Sequence, residues 1–138
     1  MDTSKEILIG FFKEMHQWEI NSLKSIDEKG ILIVRDEVRE GLVNIYERYL
    51  TKPGGKSGRL NGPSVGYPPE YDEKLERILS TEEVNSRKII ITTLWQHPAV
   101  SDFTREQRYT LSLKGSDWMI SKKEVFRSAS GKWENLVF

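Results

Sequence analysis

The stretch "PGGKSGR", residues 53–59, has the residue types of a phosphate cradle, with Lys56 and Ser57 following Gly55. A P-loop needs another glycine five residues before that one, and Leu50 stands there. It also needs a strand before it and a helix after it, so that amides and helix dipole meet the phosphate. Here a helical pattern leads in, and more glycine and proline follow. Nucleotide binding is therefore not the reading of this stretch.

The two histidines, His16 and His97, would have to act together in a metal site, joined by carboxylates such as Glu19 or Asp102. Neither has the His-x-x-x-His or Glu-x-x-His spacing that places ligands on one helix face. His16 borders a helical stripe, and His97 precedes Pro98 at a strand end, which reads as a turn. Acid–base chemistry would need a carboxyl or hydroxyl group inside an apolar pocket, where burial moves its pKa. The inward candidates are Tyr109, Glu82, His97 and Asp102. Tyr109 shares its strand face with Leu111 and Leu113, which reads as core with the hydroxyl at the rim. Glu82 reads as a solvated strand carboxylate. No nucleophile–base pair is legible. No catalytic residue, metal or cofactor is expected. Of the four tryptophans, Trp133 lies in the tail. Trp18, Trp95 and Trp118, with Tyr109, are expected to line the interior of the fold, as core aromatics rather than a ligand cage.

The elements that would position these residues fall into two halves. Thr3-Ser4-Lys5-Glu6 reads as a capping box. Ile7, Phe11, Met15 and Trp18 then recur at helical spacing, widened by Leu8 and Phe12, extended by Leu23 and Ile26, and stopped at Lys29-Gly30. Val34, Val38, Leu42, Ile45 and Tyr49 form a second stripe, ended by Lys52-Pro53-Gly54. Two amphipathic helices want a common apolar surface. After a connector at 52–72 the period changes: strands are expected over 75–84, 88–96 and 106–114, and from 117 to about 126. Gly115-Ser116 is a two-residue hairpin turn that pairs Lys114 with Asp117, Leu113 with Trp118 and Leu111 with Ile120. The tail offers an edge strand, or anchors at Trp133 and Phe138. Helices followed by an antiparallel meander make an α+β fold, with helices on one face of a twisted sheet.

Composition narrows the partners. The 138 residues suit a single domain over 1–138. Lys+Arg and Asp+Glu are equal at 21 each, which lacks the basic footprint of a nucleic-acid binder. There is no cysteine, hence no disulfide framework or thiolate chemistry. No signal peptide or membrane-length apolar run is legible, so a cytoplasmic protein without a membrane partner is expected.

The stretches FFKEMHQWE (11–19), IYERYLTKPGGKSGR (45–59), YDEKLERILSTEEVNSRKIIITT (71–93) and RYTLSLKGSDWMISKKEVF (108–126) carry a resemblance that spans most of the chain. In layout and texture the chain resembles the nuclear transport factor 2-like fold, a cone of one bent sheet around N-terminal helices. Within that fold it is similar to the immunity proteins of bacterial polymorphic toxin systems. Members often carry a short hairpin before the main sheet, and residues 56–67, rich in glycine and proline, stand in its place. The resemblance implies a non-catalytic binder of a cognate toxin protein. A ligand-binding or enzymatic cup of the same fold is the alternative. A homodimer through the open sheet face is a further one.

For a binder, the connector draws the eye. Residues 52–72 hold five of the ten glycines and four of the five prolines, and 52–69 hold no acid. Loops of this length in compact domains are commonly functional. Lys56, Arg59, Tyr67 and Tyr71 have the residue types of contact hot spots and are the candidate partner-binding residues; the alternative is a solvated loop with its tyrosines tucked onto the sheet.

Overall fold

A computed structural model describes residues 3–52, 65 and 69–138. Helix α1 runs Thr3–Lys29 and α2 runs Ile31–Tyr49. Gly30 separates them at φ 86°, a left-handed value that a glycine adopts without strain. The apolar stripes meet as expected: Leu8, Phe11, Phe12, Met15 and Trp18 of α1 are buried with Val34, Val38, Leu42 and Ile45 of α2. Tyr49 departs from its stripe and is only half-buried, whereas Tyr46, one helical step away, is fully buried. Tyr49 instead donates its hydroxyl to Glu14, which Arg48 also holds, and this trio ties the outer sides of the two helices together.

The second helix stops before Lys52-Pro53-Gly54. Leu50 turns to extended backbone and bridges Ile120 in parallel, and the Thr51 amide donates to the Ile120 carbonyl at 3.0 Å. Pairing with a strand therefore ends this helix, ahead of the proline.

Five antiparallel strands follow: β1 (Glu76–Asn85), β2 (Lys88–Gln96), β3 (Thr104–Lys114), β4 (Asp117–Arg127) and β5 (Lys132–Leu136). Their spatial order is their chain order, a plain meander. The β3–β4 hairpin has the register read from the sequence, Lys114↔Asp117, Leu113↔Trp118 and Leu111↔Ile120. Gly115 sits at φ 63° in the turn, as a primed hairpin turn demands. The tail does both things the sequence allowed. It adds β5 at the edge, and Phe138 packs edge-on against Phe11.

One face of the sheet lies under the helices. Ile91, Tyr109, Leu111 and Ile120 point into the core with the helical stripes. Each fully buried side chain of this size stabilises by about 1.5–3 kcal/mol over an exposed one. The facing position on β4 then changes parity. A bulge between Thr110 and Leu111 shifts the register, so that Lys123 and Val125, an odd step from Ile120, turn inward. This is the expected α+β arrangement of two N-terminal helices on an antiparallel sheet.

Candidate functional site

Four buried polar side chains meet on the inner face where β1, β2 and β3 lie side by side. Glu76 Oε2 accepts from Thr93 Oγ1 at 2.7 Å, Gln107 Nε2 at 2.8 Å and Tyr109 hydroxyl at 3.0 Å. Glu76 Oε1 is buried without a hydrogen-bond partner among the described residues. Burial first, and then the Glu76 charge, push the Tyr109 hydroxyl well above its ordinary pKa. It therefore stays protonated and serves as a donor. Across the strand, Lys123 is buried, donates to the Tyr71 hydroxyl at 3.0 Å and sits 4.4 Å from that ring's centre. Its amine is 3.8 Å from Glu70, which also faces Arg105 at 3.8 Å.

The end of the connector is fastened to this cluster by its backbone. Glu19 of α1 accepts from the amides of Glu70 at 2.7 Å and Tyr71 at 3.1 Å. Trp95 Nε1 donates to the Glu70 carbonyl at 2.9 Å, and His16 Nδ1 to the Tyr71 carbonyl at 2.8 Å. Every backbone polar group of this dipeptide thus meets a side chain. A carboxylate that accepts two amides is a strong, charge-assisted clamp. The Tyr71 hydroxyl then donates to the Phe138 carbonyl at 2.9 Å, so this one residue joins connector, sheet and C-terminal residue.

These positions revise several sequence expectations. Tyr71 is 1% exposed rather than a surface contact, because its ring fills the space between Phe11 and Phe12 while its hydroxyl is engaged at both ends. Lys56, Arg59 and Tyr67 lie outside the described residues, as does all of 56–67 except Val65. Trp18 is a core aromatic, as expected, placed at the seam between the helices: its Nε1 donates to the Val38 carbonyl at 2.9 Å and its ring abuts Gly41. Trp95 stands at the mouth of the inner face with Arg105 stacked 4.2 Å above it, and Trp118 is half-buried beside the core. Glu82 and Asp102 are exposed and do not join Tyr109. Glu82 pairs with Ile90, which puts it on the opposite face from Ile91 and Tyr109. His97 is in a turn, as read, where its Nδ1 accepts from the Ala99 amide at 3.0 Å and the Val100 amide at 3.2 Å.

Sequence reasoning missed Glu76, Gln107, Lys123 and the role of Glu19. Two signals were present. Val125 is an odd number of residues from Ile120, which announces the bulge and hence that Lys123 faces inward. Glu76 shares strand parity with Ile78, so it stands on the half-buried face.

The opposite face of the sheet carries a second cluster. Arg108 grips Glu124 through Nε at 2.9 Å and lies 4.2 Å over the Trp133 ring. The Arg108 contact holds the Glu124 carboxyl below its ordinary pKa, with Lys122 adding to it. Phe126 meets Trp133 edge-on at 5.4 Å. At the end of the sheet, Trp95, His97 and Phe103 form a triangle of rings, with Phe103 53% exposed. Arginine and aromatic rings in partly exposed clusters are the usual centre of a protein–protein contact.

Comparison with known proteins agrees with this geometry. No solved structure matches the chain. The chain is 33% identical over 133 residues to the immunity protein RhsIA of Dickeya dadantii (strain 3937), covering 96% of this chain and 94% of that protein. The family model described as "NTF2 fold immunity protein" matches residues 3–136. The chain belongs to this family of immunity proteins built on the nuclear transport factor 2-like fold.

Proposed function

We propose that this protein is a bacterial immunity protein that works by binding: it occupies a cognate toxin in the cytoplasm and performs no reaction of its own. The observation that supports this most is the near full-length match to an immunity protein, together with the family model over 3–136. The inner polar cluster fits the same reading. Thr93, Gln107 and Tyr109 are all turned onto Glu76, and Lys123 is turned onto Tyr71, so their donors hold the fold together. Side chains engaged with each other set a scaffold, and a binder needs a rigid scaffold with a specific surface.

Co-expression tests this. Cells that express the toxin domain encoded beside this chain survive when the chain is present, and purified toxin and chain elute as one stoichiometric complex. Survival equal to that of cells without the chain, with both proteins soluble, would overturn the reading.

A further inference from the structure

The β3–β4 register stops at Gln107↔Val125, yet β3 reaches back to Thr104 and β4 runs on to Arg127. Each strand remains paired on its far side. Thr104, Arg105 and Glu106 face Gln96, Trp95 and Leu94 of β2, while Phe126 and Arg127 face Trp133 and Lys132 of β5. The sheet is therefore split at this end. A cleft of about 400 Å3 fills the split, walled by Phe103, Glu106, Val125, Phe126, Arg127 and Ala129. Its cause is visible in the chain. The bulge at Thr110/Leu111 increases the local twist. Beyond it Arg105 is held on the β2 side by Trp95 and Gln107, while Arg108, the last contact across to Glu124 and Trp133, closes the split on its inner end.

A strand with one unpaired side is a template for another strand. The outer edges of this sheet are poor templates. The β1 edge is broken by two register shifts and carries Glu82 and Glu83, and β5 is short, with Lys132 and Glu134 in it. The open strand of the cleft is short and charged too, but it has no register shift and stands between two apolar side chains. Its open side, Thr104–Glu106, offers about 10 Å of backbone at strand rise. Phe103 and Phe126 give it apolar walls, at 53% and 37% exposure. Arg105 and Arg127 outnumber Glu106. The Arg127–Glu134 bond, 2.9 Å long, is at the surface, where an incoming carboxylate competes on even ground.

We propose that the cognate toxin inserts a short extended segment into this cleft, pairing with Thr104–Glu106 as an added strand. It would place an apolar side chain between Phe103 and Phe126 and a carboxylate on Arg127. The proposal rests on the immunity reading, since it names where and how that partner binds. It uses strand addition, in which main-chain bonds give affinity and flanking pockets give selectivity.

The test uses the whole chain and the toxin domain encoded beside it. Amide hydrogen exchange is measured with and without toxin, and affinity is measured for F103A, R127E and A129W. Ala129 is exposed beyond β4, so a tryptophan there blocks the cleft without entering the core. Thermal melts report whether each variant is folded. The expected result is slowed exchange at Thr104–Glu106 and Phe126, and a loss of affinity of about tenfold or more for each folded variant. If the wild type binds toxin but these amides are unchanged and the variants bind within about twofold, the cleft is not the site, and the immunity reading survives. Slowed exchange at the same amides in the chain alone, rising with its concentration alongside a dimer, would assign the cleft to a second copy and overturn the proposal. A wild type that neither binds nor protects would sink both.

Discussion

The two sides of this sheet hold similar residues in opposite states. On the inner face, Glu76, Tyr109, Lys123 and Tyr71 are buried, and their polar atoms point at one another. At the split end, Phe103, Phe126, Arg127 and the β3 edge are of comparable chemistry, but they are left open to solvent. Residue type does not separate them. What separates them is whether helices and connector close over the sheet. Where α1 and the Glu70–Tyr71 clamp cover it, the polar groups pair internally, Glu76 Oε1 excepted among the described residues. Where they do not, strands can diverge and leave edges unpaired. The first region holds the fold together, and the second is the proposed docking site.

The largest effect that would break this contrast is at Glu76. In E76A, three buried donors lose their shortest bond, and Thr93 and Gln107 keep only longer ones at 3.4 and 3.3 Å, so a loss of about 3 kcal/mol is expected in urea unfolding. A change under about 1 kcal/mol would mean the cluster is not what holds β1 to β3. Next is the clamp. E19A frees the amides of Glu70 and Tyr71, with an expected loss of about 2 kcal/mol and faster exchange at those two amides specifically. Unchanged exchange there would show that the connector is held by other means.

A smaller effect has a contested sign. Gly41 lies inside α2, where alanine normally gains about 1 kcal/mol. Here a Cβ would stand 3.1 Å from Trp18 Cδ1 and 3.2 Å from its Nε1, and that nitrogen is already fixed to the Val38 carbonyl. G41A is expected to destabilise by about 1 kcal/mol despite its better propensity, because the indole must shift. A more stable G41A, seen as a higher Tm, would show that the helix seam has slack.

The smallest effect is a pH dependence from the surface pairs. Arg48 lowers the Glu14 carboxyl and Arg108 lowers that of Glu124. Their folded values lie below the unfolded one, so the unfolded chain binds more protons in that window. Stability from these groups is present above the ordinary glutamate range, about pH 4.3, and is lost as pH falls through their lowered values. The E14Q/E124Q double variant should flatten the acid limb of the stability curve. An unaltered limb would assign acid sensitivity to other carboxylates. Burial, and then its hydrogen bond to Glu14, push the Tyr49 hydroxyl up to about 12.

Much of the fold was legible in the sequence. Helical spacing from Ile7 to Trp18 and from Val34 to Ile45 marked both helices, since a stripe that must be buried repeats at the helix period. Gly115-Ser116 fixed the register of its hairpin, because a two-residue turn leaves one pairing. The site was less legible. Alternation from Leu111 and Ile120 carries Lys122 and Glu124 inward, and one bulged residue reverses that. Tyr71 read as exposed because its partners Glu19, His16, Lys123 and Phe138 are distant in sequence. The split of the sheet follows the same bulge but opens several residues beyond it, at a distance that strand alternation alone does not mark.

The contrast between buried inner cluster and open cleft is decided by measuring two variants side by side, E76Q and R127E, for both Tm and protection of cells from the toxin. The expected result is a crossed one. E76Q keeps an acceptor for the three donors, melts lower and still protects, while R127E melts as the wild type and protects poorly. A folded E76Q that fails to protect, beside an R127E that protects fully, would contradict this account and place function inside the sheet.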